Sequence, residues 1–192
     1  SRRRHTRLRT VTGVQTCALP IFLVENSSGV LARVASLFAR RAFNIDSLAV
    51  GPTEDPTISR MTIVVNVEGH ALEQVIRQLD KLINVIHVTE IKPAKSTQEE
   101  LILVKVKQNP RIDSVISKFG AKVVDTTDGA AIIESTNTVA LNEELLAALK
   151  EFGIIEFVQS GVVALAHGAE SLADQTVDIQ SISTDRPADY QN

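Results

Sequence analysis

The feature that most constrains the fold is an order of predicted elements, strand–helix–strand–strand–helix–strand, that occurs twice. In the first copy, the apolar segment IFLVE precedes the turn residues NSSG and the amphipathic helix GVLARVASLFARR. The segments NIDSLAV and ISRMTIVVNVEG predict the next two strands, and apolar and polar residues alternate clearly along the second of them. Apolar residues at helical spacing over 70–82 and the strand NVIHVTEI complete the copy.

The second copy has the same order with little sequence identity to the first. Its predicted elements are the strand ELILVKVK, a short helix from Pro110, the strands AKVVDTT and GAAIIEST, a helix capped by Asn142, and a last strand in IIEFVQ with VVALAH as a further candidate. The repeat predicts an α+β fold of two tandem ferredoxin-like β-α-β-β-α-β domains. Each domain would place two helices on one face of a four-stranded antiparallel sheet.

Composition changes along the chain indicate the domain boundaries. We expect the first domain over 21–93, a polar linker over 94–99 and the second domain over 100–168. The tail over 169–192 is rich in Ser, Asp, Gln and Thr and lacks a core-forming period. Such a segment buries too little apolar surface to offset its ordering entropy, so we predict that it is disordered.

Residues 1–20 form a leader that we assign to neither domain. It carries five arginines and no acidic residue, but it has neither the apolar core of a signal peptide nor a sustained helical or alternating period. It resembles a translated sequencing adaptor, and we interpret it as non-native or disordered. A transit peptide and a native nucleic-acid-binding arm are the alternatives. Cys17 lies within the leader, and we assign it no chemistry.

Composition argues against nucleic-acid and membrane partners. The net charge is -3, aromatic residues make up 4% of the chain, and there is no tryptophan. RNA-recognition domains of the same topology stack bases on aromatic residues of a central strand, whereas ISRMTIVVNV contains none. No apolar run approaches the ~18 residues of a membrane span. A single cysteine fits a reducing compartment, so we expect a cytoplasmic protein.

The sequence offers little material for catalysis. His5, His70, His87 and His167 are scattered, and the motifs HExxH, CxxC, GxSxG and the Walker-type phosphate loop do not occur. We find no pair of residues with the pattern of a nucleophile and its base or of a general acid and base. We therefore expect a noncatalytic protein that binds no metal.

A small-ligand site is the stronger hypothesis, at the first strand–helix junction LVENSSGVLARV. The amino end of a helix offers unpaired N–H groups, which suit a carboxylate. Gly29 permits close approach, and Asn26 can donate to and accept from an α-amino-acid zwitterion. Asn44 begins a strand beyond the far end of the helix, so it would serve a site shared with a second subunit. Alternatively, Asn26 and the two serines only cap the helix and Asn44 only starts a strand.

These residues also carry a family resemblance. The segment LVENSSGVLARVASLFARRAFNIDSLAVGPTEDPTISRMTIVV and the later SGVVAL closely resemble the regulatory (small) subunit of acetolactate synthase, also called acetohydroxyacid synthase. The resemblance covers about residues 22–168, and it makes the first domain an ACT domain. It implies a noncatalytic regulatory subunit in the biosynthesis of valine, leucine and isoleucine. Such a subunit activates the catalytic large subunit and confers valine feedback inhibition.

The resemblance further implies partners and site residues. Members of the family form homodimers through their ACT domains and bind the effector at that interface. This implies valine contacts from Asn26, Gly29 and Val30, with Asn44 and Ile45 contributed by the partner chain. The large subunit holds thiamine diphosphate, Mg²⁺ and FAD, and it makes acetolactate or acetohydroxybutyrate from pyruvate and a 2-oxo acid. No cofactor is expected in this chain. A free-standing amino-acid-binding ACT protein is the alternative.

Overall fold

The structure is a computed structural model that describes residues 19–65, 70–91 and 93–172, apart from the side chains of 70–72. Its elements follow the predicted order twice. The first unit contains β1 (Pro20–Glu25), α1 (Val30–Arg40), β2 (Ile45–Pro52), β3 (Ile58–Val65), α2 (His70–Leu79) and β4 (Val85–Glu90). The second unit contains β5 (Ser96–Lys107), α3 (Ile112–Ile116), β6 (Lys122–Thr127), β7 (Ala130–Asn137), α4 (Val139–Leu149), β8 (Ile154–Gln159) and β9 (Val163–Ala166).

The two sheets have equivalent topologies. The strand order is β2-β3-β1-β4 in the first sheet and β6-β7-β5-β8 in the second, and all neighbouring strands are antiparallel. The first strand of each unit therefore lies at the centre of its sheet, next to the third. This arrangement confirms the prediction of an α+β fold with two tandem ferredoxin-like units.

The core of the first unit lies between its sheet and its helices. In α1, the apolar residues Val30, Val34 and Phe38 recur every four positions and are all buried, so one face of the helix packs on the sheet. Burying such a side chain stabilises the fold by about 1.5–3 kcal/mol. The other fully buried members of this core are Phe22, Val24, Met61, Ile63, Val65, Val75 and Leu79.

The second unit has its own core, and one predicted helix cap in it is wrong. Thr138 begins α4, because its hydroxyl accepts a hydrogen bond from the Leu141 N–H at 3.4 Å. Asn142 instead lies inside the helix and is buried. Its amide donates to the Glu100 carbonyl and accepts from the Ser135 hydroxyl, both at 2.9 Å. Buried polar groups need hydrogen-bond partners, and Asn142 finds them in strands β5 and β7 rather than at the amino end of the helix.

The face of the first sheet that lies opposite its helices is partly covered by the second unit. A third apolar cluster joins Ile21 and Val64 of the first sheet to Val162 and Ala164 near the end of the second unit. The Val162 N–H donates to the Ser47 hydroxyl at 3.1 Å. The chain thus packs β9 and the residues before it on the first sheet.

Three boundary predictions are wrong in part. Residues 96–99, expected in the linker, form the start of β5, because 163–166 of β9 pair with them and satisfy their backbone groups. Pro20, assigned to the leader, begins β1 and is paired with Glu90. Leu172, assigned to the tail, packs against the third cluster. The rest of the leader (1–18) and of the tail (173–192) lies outside the described residues.

Glu100 on β5 makes the stability of the second unit dependent on pH. The side chain is buried, and burial raises the pKa of its carboxyl group, although amide hydrogen bonds from Gln159 and Asn142 act in the opposite direction. The folded chain therefore binds a proton more readily than the unfolded chain. Between the ordinary pKa of about 4.5 and the raised value, stability falls as the pH rises.

We therefore expect Glu100→Gln to be more stable than the parent chain at pH 7, because the substitution removes a buried ionised group and keeps a hydrogen-bonding side chain. The advantage should disappear as the pH falls from the raised pKa of Glu100 to the ordinary pKa of a glutamate carboxyl, below which the parent is protonated in both the folded and the unfolded state. Urea unfolding at a series of pH values measures the difference. Equal midpoints at pH 7 would contradict the assignment.

Candidate functional site

The first strand–helix junction is built from the end of β1, a short turn and the start of α1. The Asn26 N–H donates to the Thr57 carbonyl at 2.7 Å, and the Asn26 side-chain amide donates to the Pro56 carbonyl at 2.9 Å. Both acceptors belong to the segment between β2 and β3. Asn26 is thereby held against the β2–β3 hairpin, and no other described residue donates to its side-chain oxygen, which can accept from a ligand.

Gly29 begins α1 in a backbone conformation that favours glycine. Its φ is +86°, it is exposed, and apart from its chain neighbours no described residue has an atom within 4 Å of the position that a Cβ would occupy. The first helical hydrogen bond runs from the Arg33 N–H to the Gly29 carbonyl at 3.1 Å. The N–H groups that precede Arg33 therefore have no acceptor within the helix.

The interpretation of this turn as a helix cap is not supported by the hydrogen bonds. Within the described part of the chain, no side chain of Asn26, Ser27 or Ser28 accepts a hydrogen bond from the start of α1. An uncapped amino end combines free donors with the positive end of the helix dipole. The junction therefore offers an open place for an anionic group such as a carboxylate.

The remaining predicted site residues are placed differently. The Val30 side chain is buried in the first core, so only its backbone N–H faces the junction. Asn44 and Ile45 lie beyond the opposite end of α1, which has 11 residues and is therefore about 16 Å long. The sheet register also places the two sets of residues apart. Glu25 pairs with Ile58 at the start of β3, whereas Ile45 pairs with Val65 at the end of β3. One chain does not bring the five residues together.

At that far end, Asn44 is exposed and makes a local contact. Its side-chain amide donates to the Asp46 carboxylate at 2.7 Å. Ile45 is half-buried and packs against the first core. No other described residue donates to the Asn44 side-chain oxygen, so Asn44 retains the capacity to contact a ligand bound between two chains.

Sequence reasoning missed one set of contacts beside the junction. Asn84, in the loop before β4, accepts a hydrogen bond from the Arg33 guanidinium and donates to the Glu25 carboxylate. Glu25 directly precedes Asn26, so this set connects the junction to the outer face of α1. Asn84 belongs to no periodic pattern. The sequence indicates only that a residue type common in turns precedes a predicted strand.

The histidines do not form a common site in the described part of the chain. The His87 side chain is half-buried, its Nε2 has no hydrogen-bond partner among those residues, and burial lowers its pKa although Asp80 acts to raise it. His167 Nε2 lies 3.1 Å from the Thr97 hydroxyl. His5 lies outside the described residues, as does the His70 side chain. The described residues contain no group of three metal-ligating side chains.

None of the helices in the described ranges is long and apolar enough to cross a membrane.

Two β-α-β-β-α-β units, the first with an open helix amino end beside its central strand, define a tandem ferredoxin-like protein with a candidate site for an anionic ligand. Residues 21–87 match the family model of the AHAS small subunit-like ACT domain, and residues 99–168 match that of the small subunit of acetolactate synthase. The chain belongs to the acetolactate synthase small subunit family.

Individual relatives agree with this assignment over most of their length. The chain is 48% identical over 164 residues to the acetolactate synthase small subunit of Mycolicibacterium smegmatis, covering 83% of this chain and 96% of that protein. It is 38% identical over 155 residues to a probable acetolactate synthase small subunit of Methanothermobacter thermautotrophicus, covering 78% and 92%. The crystal structure of the Thermotoga maritima small subunit superimposes with a TM-score of 0.73 at 34% identity, covering 80% and 98%.

Proposed function

We propose that this chain is the regulatory subunit of acetolactate synthase, which activates the catalytic large subunit and makes it sensitive to valine. The observation that carries the proposal is the match of both units to the small-subunit family over 21–87 and 99–168. The open amino end of α1 supports the effector part of it. The regulated pathway is the synthesis of the branched-chain amino acids, and we place the protein in the cytoplasm.

The bound effector would be an α-amino-acid zwitterion. The free N–H groups at Gly29 and Val30 would hold its carboxylate, because they combine hydrogen-bond donors with the positive end of the α1 dipole. The Asn26 side-chain oxygen would accept from the ammonium group, since the Asn26 amide is already bonded to Pro56. Apolar side chains beside the junction would receive the isopropyl group.

A homodimer would complete this site. Asn44 and Ile45 lie about one helix length from Gly29 in the same chain, so they would contribute to the site from the partner subunit. We propose that two first units associate and place the start of β2 of one chain near the start of α1 of the other. Each effector would then contact both chains, and its binding would favour one arrangement of the dimer.

The reaction itself would take place on the large subunit. That subunit would use thiamine diphosphate, Mg²⁺ and FAD to join pyruvate to a second 2-oxo acid, as a thiamine-diphosphate-dependent transferase. The small subunit would act by favouring a more active state of its partner, and valine by favouring a dimer arrangement that activates less. Typical allosteric coupling free energies are about 1–3 kcal/mol, which corresponds to changes of roughly 5- to 150-fold.

The test is acetolactate formation by the cognate large subunit, with and without this protein, across a valine titration. Activation that valine reverses is the expected result. Activation without valine sensitivity would retain the partnership and contradict the effector site. If a correctly folded chain does not activate the large subunit, a free-standing amino-acid-binding ACT protein becomes the better description.

A further inference from the structure

The outer surface of the first unit has a charge opposite to that of the whole chain. The helix α1 contains no acidic residue, and its exposed cations continue onto α2 and the following loop. The chain as a whole has a net charge of -3. In the described residues of α1, of α2 and of the loops that follow these two helices, two acids, Glu73 and Asp80, are outnumbered by five exposed cations: Arg33, Arg40, Arg41, Arg77 and Lys81.

The cations lie on a continuous surface, because α1 and α2 pack side by side. The Arg41 guanidinium donates to the Gln74 side chain at 3.1 Å, and Arg77 lies 3.9 Å from Glu73. The helices of the second unit have a mixed surface instead. There three cations, Arg111, Lys118 and Lys150, stand with four acids, Asp113, Glu143, Glu144 and Glu151. The positive surface is therefore specific to the first unit.

A groove runs along this surface between α1 and the loop before β4. It has a volume of about 280 Å³ and is lined by Ala32, Arg33, Ser36, Leu37, Arg40 and Leu82. We call it the α1 groove. Ile83, the residue after Leu82, is 89% exposed, and Leu31 on α1 is 42% exposed. Arginine next to exposed aliphatic side chains is the composition of a protein-binding surface, where arginine is enriched and lysine is depleted.

We propose that the α1 groove is the surface on which an acidic segment of the catalytic large subunit docks, an inference that rests on the proposed function. Arg33 and Arg40 would pair with carboxylates of the large subunit, and Ile83 would be buried against an apolar side chain between them. Bidentate arginine–carboxylate pairs provide both affinity and a fixed orientation.

The chemistry of the surface favours this partner over the other candidates. Two copies of a surface with excess positive charge repel each other, so the groove is poorly suited to pair with itself. Single-stranded nucleic acid would need rings for stacking, and the one aromatic side chain of α1, Phe38, is buried. An acidic protein segment has the charge opposite to that of the arginines, and an apolar side chain within it would bury the exposed Ile83.

The groove begins about one helical turn from the proposed effector site. Arg33 N–H bonds to the Gly29 carbonyl, and the Arg33 guanidinium bonds to Asn84, which in turn bonds to Glu25. A ligand that shifts the turn between Glu25 and Gly29 would therefore also shift a residue that contacts the large subunit. This position gives valine a short physical connection to the docking surface.

The test uses Arg40→Glu/Ile83→Asp in the full-length chain. The Arg40 side chain makes no hydrogen bond or ion pair with another described residue, and Ile83 is almost fully exposed, so we expect both substitutions to leave the fold intact. We expect the concentration of small subunit that half-saturates the large subunit to rise at least tenfold in a direct binding assay. Binding of the parent chain should weaken as salt is raised, because exposed charge pairs are screened.

Lys118→Glu/Lys150→Glu is the control, since it reverses two exposed cations that directly follow α3 and α4 in the second unit. Its half-saturating concentration should stay within about twofold of the parent value. Unchanged binding of Arg40→Glu/Ile83→Asp, or equal weakening of both variants, would overturn the proposal. So would a loss of homodimer in sedimentation without a loss of large-subunit binding, because the groove would then join two copies of this chain.

Binding and activation are measured separately, so that the two proposals can fail separately. If the parent chain binds the large subunit without activating it, the proposed function is wrong, and the variants still test the docking surface. If the parent activates and the groove variant binds as well as the parent, only the docking surface is wrong. A parent chain that does not bind the large subunit overturns both.

Discussion

Gly29→Asp is expected to abolish valine inhibition while the large subunit remains activated. The proposed carboxylate position lies at the free N–H groups of α1, where Gly29 has φ of +86° and open space around a would-be Cβ. An aspartate there would place a second negative charge beside the proposed ligand carboxylate, and we take a separation of about 4 Å for two such groups in contact. At an effective dielectric constant of 20 this repulsion is about 4 kcal/mol, so a loss of valine affinity on the order of a hundredfold is a conservative expectation.

Gly29→Asn is the matched control for this experiment. Asparagine has nearly the same shape as aspartate, and both tolerate a left-handed backbone better than most residues. Strain and bulk are therefore shared by the two variants, and only the charge differs. Valine titration by calorimetry, together with inhibition of the reconstituted enzyme, measures the effect. Equal valine affinity of Gly29→Asp and Gly29→Asn would show that no carboxylate binds at this position.

The sequence predicted the elements of both units well, because their signals are local. In α1 the apolar residues lie four positions apart, a spacing that places them on one face of a helix. In β3 they lie two positions apart, a spacing that places them on one face of a strand. The residues are Val30, Val34 and Phe38 in α1 and Met61, Ile63 and Val65 in β3. Such spacing also predicted which face is buried. The same reasoning left two interpretations of the turn at Gly29 open, since the residue types there suit either a helix cap or a ligand site.

Features that depend on distant pairing were not predictable in this way. The alternation in VVALAH is consistent with a strand but contains no information on its partner, so 96–99 were assigned to a linker although β9 pairs with them. Asn142 has the residue type of a helix cap, and only the position of Glu100 and Ser135 explains why it is buried. The chain that would bring Asn44 near Gly29 is a second molecule, which no pattern within one sequence specifies.

The packing of the second unit on the first sheet yields the other large expected effect, at Gly161. This residue has φ of +82°, and a Cβ built on it would lie 3.0 Å from the Ser47 hydroxyl and 3.2 Å from the Leu48 carbonyl oxygen. Gly161→Ala therefore adds about 1–2 kcal/mol of left-handed backbone strain and a steric conflict with the backbone of β2. Relief requires the segment before β9 to move away from the first sheet.

That movement would separate several contacts at once. The hydrogen bond from the Val162 N–H to Ser47 would be lost, together with the one from the Arg60 guanidinium to the Ala164 carbonyl. Val162, which is 3% exposed, would also lose its apolar contacts, worth about 1.5–3 kcal/mol. We expect the hydrogen-exchange protection of the Val162 amide to fall at least a hundredfold, while amides between β5 and β7 keep theirs, because their ladder does not involve this segment.

Gly51→Ala separates a specific conflict from a general intolerance of glycine substitution. Gly51 lies on β2, the strand that Gly161 approaches. It has no left-handed φ, and no described residue apart from its chain neighbours has an atom within 4 Å of a would-be Cβ, so its replacement should leave exchange at Val162 unchanged. If Gly161→Ala also leaves that amide protected, the segment does not pack on the first sheet in solution. The third apolar cluster would then not hold the two units together, and residues 96–99 would have to be stabilised by β9 alone.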